Sequence, residues 1–464
     1  MKICLSFVLS ILLATTLAGT YKVKVGIIND LHYEPFYQTG SDIQRYCRSD
    51  NSPLKWITGY TQDNASPFGE YRCDAPKRLI NLMLDKLDEI DPDIDVLLVS
   101  GDFIAHGIAV EITDKVHDQY QILKDSISEV FLEMINKKFP NAIVLPAIGN
   151  NDIKYHYVSP QRGVTAPDYY PFMYDLIFEK MDGNKNIGTQ DMRDTFTKFG
   201  GFRYDYSDDI SFISFNSLYY NNKVPSKDTQ IKKAQFDWLA NTIDQEQSER
   251  KFVIFFHVYP GVYIIKSPKS FWEQEAQLEF NRIIQRNSHK IILVTGAHSH
   301  YADVKVFFDK EFTIQDFMNP KETEFRANPV WALLVTPSIS PVFTNNPGVT
   351  HLNLNDGFAD NITWTFLELN RYPSDESEAQ YNTFSLEQQC GIFKFTPEQV
   401  ANFIKSLIKD KYALYKYLAH KIGFQGENIV NALLGYKELG TITFKDESEY
   451  FCSLLNNKRI DYYI

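Results

Sequence analysis

Five short segments, which follow one another along the chain, constrain its fold and chemistry most strongly. Each is an apolar, β-branched run that ends in Asp, Asn or His, and they lie at residues 27–33, 97–103, 147–152, 254–260 and 294–300. This pattern is typical of a buried strand that delivers metal-binding side chains at its carboxyl end. One such segment would indicate little, because many core strands end in a polar residue. Five of them together predict a hydrolytic centre that binds two metal ions.

Helical and strand patterns alternate along the chain, and this alternation predicts a layered α/β domain. Strands are predicted at 23–28, 95–100, 142–149, 210–216, 251–257 and 290–296. One helix is predicted to begin at Asp74, which fits the N-cap position. Further helices are predicted at about 113–137, 234–243 and 271–285 from their apolar spacing.

The remaining segments are less regular. Residues 155–200 are aromatic, lack a clean period and are interpreted as loops over the site. Strands near 331–336, 349–354 and 362–368 suggest a second sheet that packs on the first. We predict a catalytic domain over residues 20–370 and a small helical, disulfide-containing C-terminal region over residues 371–464.

The first 19 residues predict a secretory signal peptide. They contain a basic Lys2, an apolar run from Ile3 to Leu17 and small residues at the end. A membrane anchor is the alternative, but the apolar run is short for a bilayer span of about 20 residues. No comparable apolar stretch follows, so we expect a secreted or luminal protein without a transmembrane anchor.

Cysteine usage agrees with an oxidising compartment. Removal of Cys4 with the signal peptide would leave an even set: Cys47, Cys73, Cys390 and Cys452. Four cysteines allow three connectivities. The local pairs Cys47–Cys73 and Cys390–Cys452 are favoured, because each pair lies in its own loop-rich region. A cysteine zinc site is disfavoured, because no close pair such as CxxC occurs.

Charge and sequons add two constraints. The net charge of −12 argues against a nucleic-acid surface. It does not argue against a phosphorylated substrate, because bound divalent cations would dominate the local field. Asn64 and Asn361 begin N-glycosylation sequons, which have meaning only if the chain is exported.

Two pairs of candidate ligands follow strands at the same spacing. Asp30 and His32 follow the first strand, and His298 and His300 follow the strand at 290–296. In an extended segment, side chains two residues apart point the same way, so Asp30 and His32 can reach one ion, and His298 and His300 repeat this geometry. A capped loop with exposed histidines is the alternative for either pair alone.

Three further candidates come from the other segments. The Gly101-Asp102 pair allows close backbone approach, and the carboxylate can bridge two cations. Asn150 offers a neutral oxygen ligand, although an Asn-rich turn is a frequent use of such residues. His257 ends the apolar run VIFFH, where a buried histidine satisfied by the protein itself is the usual alternative.

The order D-x-H, G-D, G-N-N-D, H and A-H-x-H resembles the calcineurin-like metallophosphoesterase superfamily, and more narrowly the acid sphingomyelinase-like phosphodiesterases. Supporting segments are FGEYRCDAP (68–76), GDFIAH (101–106), TFTKFGGF (195–202) and TPSISPVFTNNPG (336–348). The resemblance implies an α/β fold, a metallophosphoesterase-type β-sandwich flanked by helices. It also implies hydrolysis by water activated between two divalent metal ions.

The resemblance implies a ligand set for each metal. The first metal would be bound by Asp30, His32 and His300. The second would be bound by Asn150, His257 and His298, and Asp102 would bridge both. Zinc is expected from the imidazole content, with manganese or iron as alternatives.

The catalytic acid is less defined than the ligands. The resemblance implies that His106 protonates the leaving oxygen or stabilises the transition state. A structural histidine is the alternative. Most relatives have His where this chain has Asn151, which can donate a hydrogen bond but supplies no proton at neutral pH. Activity is therefore lower than in relatives, rests on His106, or uses His156 from the following loop.

We expect a monomeric phosphodiesterase that acts on a small phosphodiester or nucleotide-like substrate. No saposin-like domain is expected before the first strand, which favours soluble substrates over membrane lipid. The G-N-N-D form with a histidine four residues later also resembles endopolyphosphatases. A binding or scaffold protein that keeps the fold without turnover is the third hypothesis.

Overall fold

The computed structural model describes residues 22–50, 52, 64–110, 119–160, 166–264, 268–310, 327–369, 377 and 379–423. The predicted signal peptide and Cys452 lie outside the described residues, so the Cys390–Cys452 bond stays a prediction. Cys47 and Cys73 form a disulfide, which confirms the other predicted pair. Within the described ranges, we find no helix with the length and apolar character that a membrane span requires.

The strands lie close to the predicted ones, with several additions. In chain order they are Lys22–Ile28 (β1), Val96–Val99 (β2), Ile143–Pro146 (β3), Phe202–Asp205 (β4), Ile210–Ser214 (β5), Lys251–Val258 (β6), Val262–Ile264 (β7), Pro268–Ser270 (β8), Ile291–Ala297 (β9), Asp303–Phe308 (β10), Pro329–Val335 (β11), Gly348–Asn355 (β12), Phe358–Leu367 (β13) and Tyr381–Ser385 (β14).

These strands form two six-stranded sheets and a small ribbon. One sheet has the order β14-β13-β12-β1-β2-β3, the other has the order β10-β11-β9-β6-β5-β4, and β7 pairs with β8. Strands β1, β2 and β3 are parallel, as are β5, β6, β9 and β11. One cluster of buried apolar side chains contains residues from both sheets, which therefore pack face to face as a sandwich.

The helices flank this sandwich. They are Lys77–Ile90 (α1), Gln119–Ser128 (α2), Tyr169–Tyr174 (α3), Gln190–Phe199 (α4), Thr229–Asp244 (α5), Gln274–Arg286 (α6), Leu386–Cys390 (α7), Pro397–Lys409 (α8) and Lys411–His420 (α9). Two π-helical segments, Glu129–Ile135 and Asp175–Lys180, extend α2 and α3. The alternating α/β pattern and the helix-flanked sandwich are thus confirmed.

The interpretation of residues 155–200 as loops is wrong, because this segment contains α3 and α4. In α4 the buried side chains are Met192, Phe196 and Phe199, which recur at helical spacing. The hydroxyl of Thr189 caps the first turn, and Gly200 ends the helix in the left-handed conformation. Both capping signals were present in the sequence, but the helix is too short for its period to dominate.

The prediction for Asp74 is also wrong. Helix α1 begins at Lys77, with Pro76 at the N-cap and no capping side chain. The Asp74 carboxylate is buried and binds elsewhere, as described below.

The late strands are divided differently from the expectation. Strand β11 pairs with β9, whereas β12 and β13 join β1 in the other sheet. Strand β14 pairs with β13, and α8 packs against β10 and β11. Residues 379–423 thus contribute a strand as well as helices. The boundary near residue 370 stays a prediction.

Candidate metal centre

The carboxyl ends of parallel strands in both sheets meet at one place. Asp30 and His32 follow β1, Asp102 follows β2, and Asn150 follows β3. From the other sheet come His257 near the end of β6 and the pair His298 and His300 after β9. Six of these seven side chains are buried, and His298 is half-buried. Parallel strands end at the same edge of a sheet, which explains why residues far apart in the chain converge.

One group of side chains surrounds Asp30. The Nε2 atoms of His32 and His300 lie 3.1 Å apart. They lie 3.7 and 3.5 Å, respectively, from Asp30 Oδ1. Asp30 Oδ1 is buried and has no hydrogen-bond partner among the described residues. A buried carboxylate oxygen that faces two ring nitrogens fits a cation-binding position.

A second group surrounds His257. Its Nε2 atom lies 3.1 Å from Asn150 Oδ1, 3.2 Å from Asp102 Oδ2 and 3.3 Å from His298 Nδ1. Asp102 Oδ2 also lies 3.5 Å from His32 Nε2 in the first group. Asp102 therefore lies between the two groups.

The tautomers of His32 and His257 indicate that these two groups of side chains fit divalent metal ions. His32 Nδ1 faces the Ile104 carbonyl at 3.2 Å, and His257 Nδ1 faces the Ser100 carbonyl at 2.8 Å. Because a carbonyl oxygen only accepts, both Nδ1 atoms carry the hydrogen. In the neutral rings, each Nε2 then presents a lone pair towards a carboxylate. Such facing acceptors need a cation between them.

In the protein without metal ions, protons on the histidine rings supply part of the positive charge between these acceptors. Burial lowers the pKa of His32, but the carboxylates of Asp30 and Asp102 raise it to about 9. At His257, burial also lowers the pKa, but the charges of Asp102 and Asp30 outweigh it and raise the pKa to about 9. Burial raises the pKa of Asp30, but the nearby charges of His300 and His257 outweigh it and hold that pKa below its usual range.

The outer histidines behave in the opposite way. Burial and the charge of His257 lower the pKa of His298 to about 3. Burial, together with the charge of His32, lowers the pKa of His300 to about 3 in spite of the Asp30 carboxylate. Both rings are therefore neutral at pH 7 and can act as ligands without losing a proton.

Metal binding is expected to release protons at pH 7. His32 and His257 are protonated below about pH 9 in the metal-free protein, whereas ligation requires neutral Nε2 atoms. We expect about two protons to be released per fully loaded chain at pH 7. The affinity should rise with pH until about pH 9. Calorimetry in buffers of different ionisation enthalpy measures this number, and release of no proton would contradict the assignment of both rings.

Backbone conformation, rather than strand alternation, aims the ligands. Positive φ angles occur at Asp30 (45°), His32 (42°), Asp102 (52°), His298 (75°) and His300 (65°). The expectation of extended pairs is therefore wrong, because each pair lies in left-handed turns just after its strand. Non-glycine residues rarely adopt this conformation, and its concentration at one place is typical of functional sites.

Asp152 holds the second and third segments together, which the sequence did not reveal. Its carboxylate accepts hydrogen bonds from the backbone N–H groups of Asp102 (2.8 Å), Phe103 (2.6 Å) and Gly149 (2.8 Å). A Cβ atom at Gly149 would collide with the backbone nitrogen and the carboxylate of Asp102. Glycine is therefore required at this close approach.

Asn151 also contacts Asp102. Its backbone N–H donates to Asp102 Oδ1 at 2.8 Å, and its side-chain Nδ2 donates to Asp102 Oδ2 at 2.8 Å. The amide thus orients the carboxylate that lies between the two groups. It has no proton to transfer at neutral pH.

His106 lies beside the first group and is held by Asp74. The ring Nδ1 lies 3.0 Å from Asp74 Oδ1, and the backbone N–H of His106 donates to Asp74 Oδ2 at 2.8 Å. The ring stacks on His32 with centroids 4.1 Å apart, and the side chain is 30% exposed. The carboxylate fixes the hydrogen on Nδ1 and leaves Nε2 for other contacts. Ligand atoms of His106, His32 and His300 lie within 4.8 Å of one another.

The loop after β3 supports the second group. Asn150 Nδ2 lies 3.2 Å from His156 Nε2, so that Asn150 presents its oxygen to His257. The Tyr157 hydroxyl lies 3.1 Å from His298 Nε2, and the other ring nitrogen of His298 then faces the centre. Sequence reasoning missed Tyr157, although its position next to His156 was a usable signal.

Replacing His156 should weaken one metal more than the other. His156→Leu removes the acceptor that orients the Asn150 amide, and we expect about 10- to 100-fold weaker binding at one of two sites. His156→Gln restores an acceptor and should keep most of the affinity. Titration with a competing chelator separates the two sites. Equal loss in both variants, or at both sites, would contradict this role.

Carboxylates, imidazoles and an amide cluster at the strand ends, and they form groups that could hold metal ions. The family model for calcineurin-like phosphoesterases matches residues 23–302, which is more than half of the chain. The chain belongs to the calcineurin-like phosphoesterase family, as the motif order indicated. This family implies divalent metal ions, and the described residues contain groups that can hold them.

The similar proteins include an acid sphingomyelinase-like phosphodiesterase. The chain is 25% identical over 403 residues to the rat (Rattus norvegicus) cyclic GMP-AMP phosphodiesterase SMPDL3A, and the match covers 82% of this chain and 79% of the relative. It is 24% identical over 342 residues to the mouse (Mus musculus) acid sphingomyelinase-like phosphodiesterase 3b, and the match covers 72% of this chain and 65% of the relative. Sphingomyelin phosphodiesterase 2 of Caenorhabditis elegans is 22% identical over 384 residues, with coverage of 77% and 56%.

Proposed function

We propose that this protein is a secreted or luminal phosphodiesterase that hydrolyses small phosphodiester or phosphoanhydride substrates with two bound metal ions. The observation that carries the proposal is the position of Asp102 Oδ2, 3.5 Å from His32 Nε2 and 3.2 Å from His257 Nε2. A carboxylate shared by two ligand groups suits a two-metal site better than a single-metal site.

Each ligand group would hold one metal ion. Asp30, His32 and His300 would bind the first. Asn150, His257 and His298 would bind the second, and Asp102 would contact both. Imidazole-rich ligation favours zinc. Bound metals would supply Lewis-acid stabilisation of the phosphoryl oxygens and a lower pKa for the attacking water.

His106 is the proposed proton donor. Asp74 holds its Nδ1, so Nε2 can carry the proton that the leaving oxygen needs. Water forms the new bond to phosphorus, the bond to the leaving oxygen breaks, and the proton on Nε2 passes to that oxygen to give an alcohol. The proton lost by the water restores His106 over the cycle. Asn151 keeps the Asp102 carboxylate in place through two hydrogen bonds.

The compartment is inferred from the chain. The Cys47–Cys73 disulfide is typical of secreted or luminal proteins. Both sequon asparagines, Asn64 and Asn361, are exposed, as glycan attachment requires. A shift in mass after glycosidase treatment of the secreted protein would support export, and retention of residues 1–19 in the mature chain would contradict it.

A substrate screen tests the proposed activity. The purified, metal-loaded full-length chain is assayed from acid to neutral pH with bis(p-nitrophenyl) phosphate, nucleotides, sphingomyelin and polyphosphate. Hydrolysis of the small diesters and nucleotides is expected. If both metals are bound and no substrate is hydrolysed, a non-catalytic binding protein becomes the better description.

An endopolyphosphatase is the second candidate. The G-N-N-D form followed by His156 favours it, since this feature departs from the usual branch pattern. Chain-length analysis of polyphosphate after incubation distinguishes the two. Internal cleavage faster than nucleotide hydrolysis would place the endopolyphosphatase first.

A further inference from the structure

His106 is held by two residues that lie in different parts of the chain. Asp74 contacts the ring Nδ1 and the backbone N–H of His106. Arg48 donates from Nη2 to the carbonyl oxygen of His106 at 2.5 Å. The backbone of His106 is therefore fixed at both its N–H and its C=O group, and its ring is fixed in one tautomer.

The two holding residues directly follow the two bonded cysteines. Arg48 follows Cys47 and Asp74 follows Cys73, and the cysteine Cα atoms lie 5.8 Å apart. The disulfide thus joins the two segments that hold His106, and each cysteine is adjacent in the chain to one of the two holding residues. Neither the family match nor the motif order assigns this bond a role in the reaction.

A buried ion pair and two backbone hydrogen bonds connect these segments to the candidate ligand His32. Arg48 Nε donates to Glu34 Oε2 at 2.5 Å, and both side chains are almost fully buried. The backbone N–H of Glu34 donates to the Ala75 carbonyl at 2.9 Å, and Ala75 donates to the His32 carbonyl at 3.1 Å. The segment after Cys73 is therefore bonded to the segment that contains the candidate ligand His32.

Apolar packing contributes little to this region. Cys47, Ala65 and Cys73 form a small buried cluster that is separate from the main core. Three small buried residues remove little apolar surface from water, so the cross-link adds a covalent restraint to the hydrogen bonds and the ion pair that hold the segments of Arg48 and Asp74. The main core includes Ala75, directly after Asp74.

We propose that the Cys47–Cys73 disulfide positions His106 for proton donation by holding Arg48 and Asp74 on its two sides. Arg48, Asp74 and the two cysteines are positioning residues, since they act through His106. This inference rests on the proposed phosphodiesterase activity. It requires that loss of the bond lowers turnover only where the leaving oxygen needs a proton.

The experiment compares two leaving groups in the full-length, metal-loaded chain. Cys47→Ala/Cys73→Ala is assayed with a p-nitrophenyl diester, whose leaving group departs without a proton, and with an alkyl or nucleoside diester, whose leaving group needs one. We expect kcat to fall about tenfold or more for the alkyl ester and to change less than about twofold for the p-nitrophenyl ester. KM should remain unchanged for both, because substrate binding does not involve the disulfide.

Controls separate a positioning role from damage to the fold. Reduction of the wild-type protein with dithiothreitol should give the same selective loss, and reoxidation should reverse it. The same treatment of the double variant should have no further effect, which excludes a contribution from Cys390. Arg48→Gln keeps the disulfide but removes the contact to His106 together with the ion pair to Glu34, so it should reproduce the selective loss even if the cysteine variant does not fold.

The outcomes also distinguish this inference from the proposed function. If the wild-type protein hydrolyses neither ester, the proposed function fails. If the wild type hydrolyses both and Arg48→Gln or reduction lowers both rates equally, the function stands and the positioning role is overturned. Thermal melting and metal content, measured alongside, should stay close to the wild-type values if the selective loss is genuine.

Discussion

Replacing Asp102 with Asn is expected to lower the metal content of the protein at both sites and to reduce kcat/KM by roughly 10³-fold, or about 4 kcal/mol. Asp102 Oδ2 faces His32 Nε2 and His257 Nε2, one from each ligand group. The amide that replaces it has no charge and accepts at one atom only. A residue that serves a single site would affect one metal, whereas Asp102 should affect both.

Elemental analysis of purified protein measures this effect directly. Asp208→Asn is a matched control, because Asp208 is exposed in the turn before β5, at the end of the sheet away from the site. It should retain both metals and full activity. Loss of one metal with retention of the other would show that Asp102 is an ordinary ligand, and unchanged metal content would defeat the bridging assignment altogether.

The strands that carry the site could be predicted from the sequence. The backbone turns that bring the ligands together could not. Buried parallel strands such as β1, β2 and β6 are short apolar runs, and such runs are visible without any knowledge of their neighbours. The ligands themselves lie in left-handed turns after the strands, with φ of 45° at Asp30 and 65° at His300. Local propensity does not predict such turns at Asp or His, because the tertiary contacts impose them.

The residues that the sequence missed act through contacts that are distant along the chain. Asp74 binds His106 from 32 positions away, and Asp152 binds the backbone of Asp102 from 50 positions away. A single sequence contains no sign of which carboxylate meets which partner. The sequence therefore predicts Asp74 as the start of the nearby helix, where an acidic residue has an ordinary use as an N-cap.

The sheet pairing illustrates the same limit. Strand β12 pairs antiparallel with β1, although most of the chain separates the two strands in sequence. Strand β11 pairs with β9 and not with β12, the next strand in the chain. The apolar patterns of these strands are alike, so their pattern does not determine which sheet each joins. By contrast, α4 has capping signals at Thr189 and Gly200, and these local signals indicate a helix that the irregular apolar period of residues 155–200 does not.

Replacing His106 with Gln is expected to lower kcat by about 10²- to 10³-fold for an alkyl or nucleoside diester and by only a few-fold for a p-nitrophenyl diester. Gln can still donate a hydrogen bond, but it has no proton to transfer to the leaving oxygen. His289→Gln is the matched control, since His289 is an exposed histidine before β9, at the end of the strand opposite the site. That variant should match the wild type with both esters.

The ratio of the two rates separates the roles open to His106. The ring stacks on His32 and lies near His300, so it could also serve as a metal ligand. A ligand would be needed for every substrate, and its loss would lower both rates equally and reduce the metal content. A proton donor would leave the metal content intact and affect only the poor leaving group. Because Asp74 holds Nδ1, and not Nε2, of a side chain that is 30% exposed, the second result is the one expected.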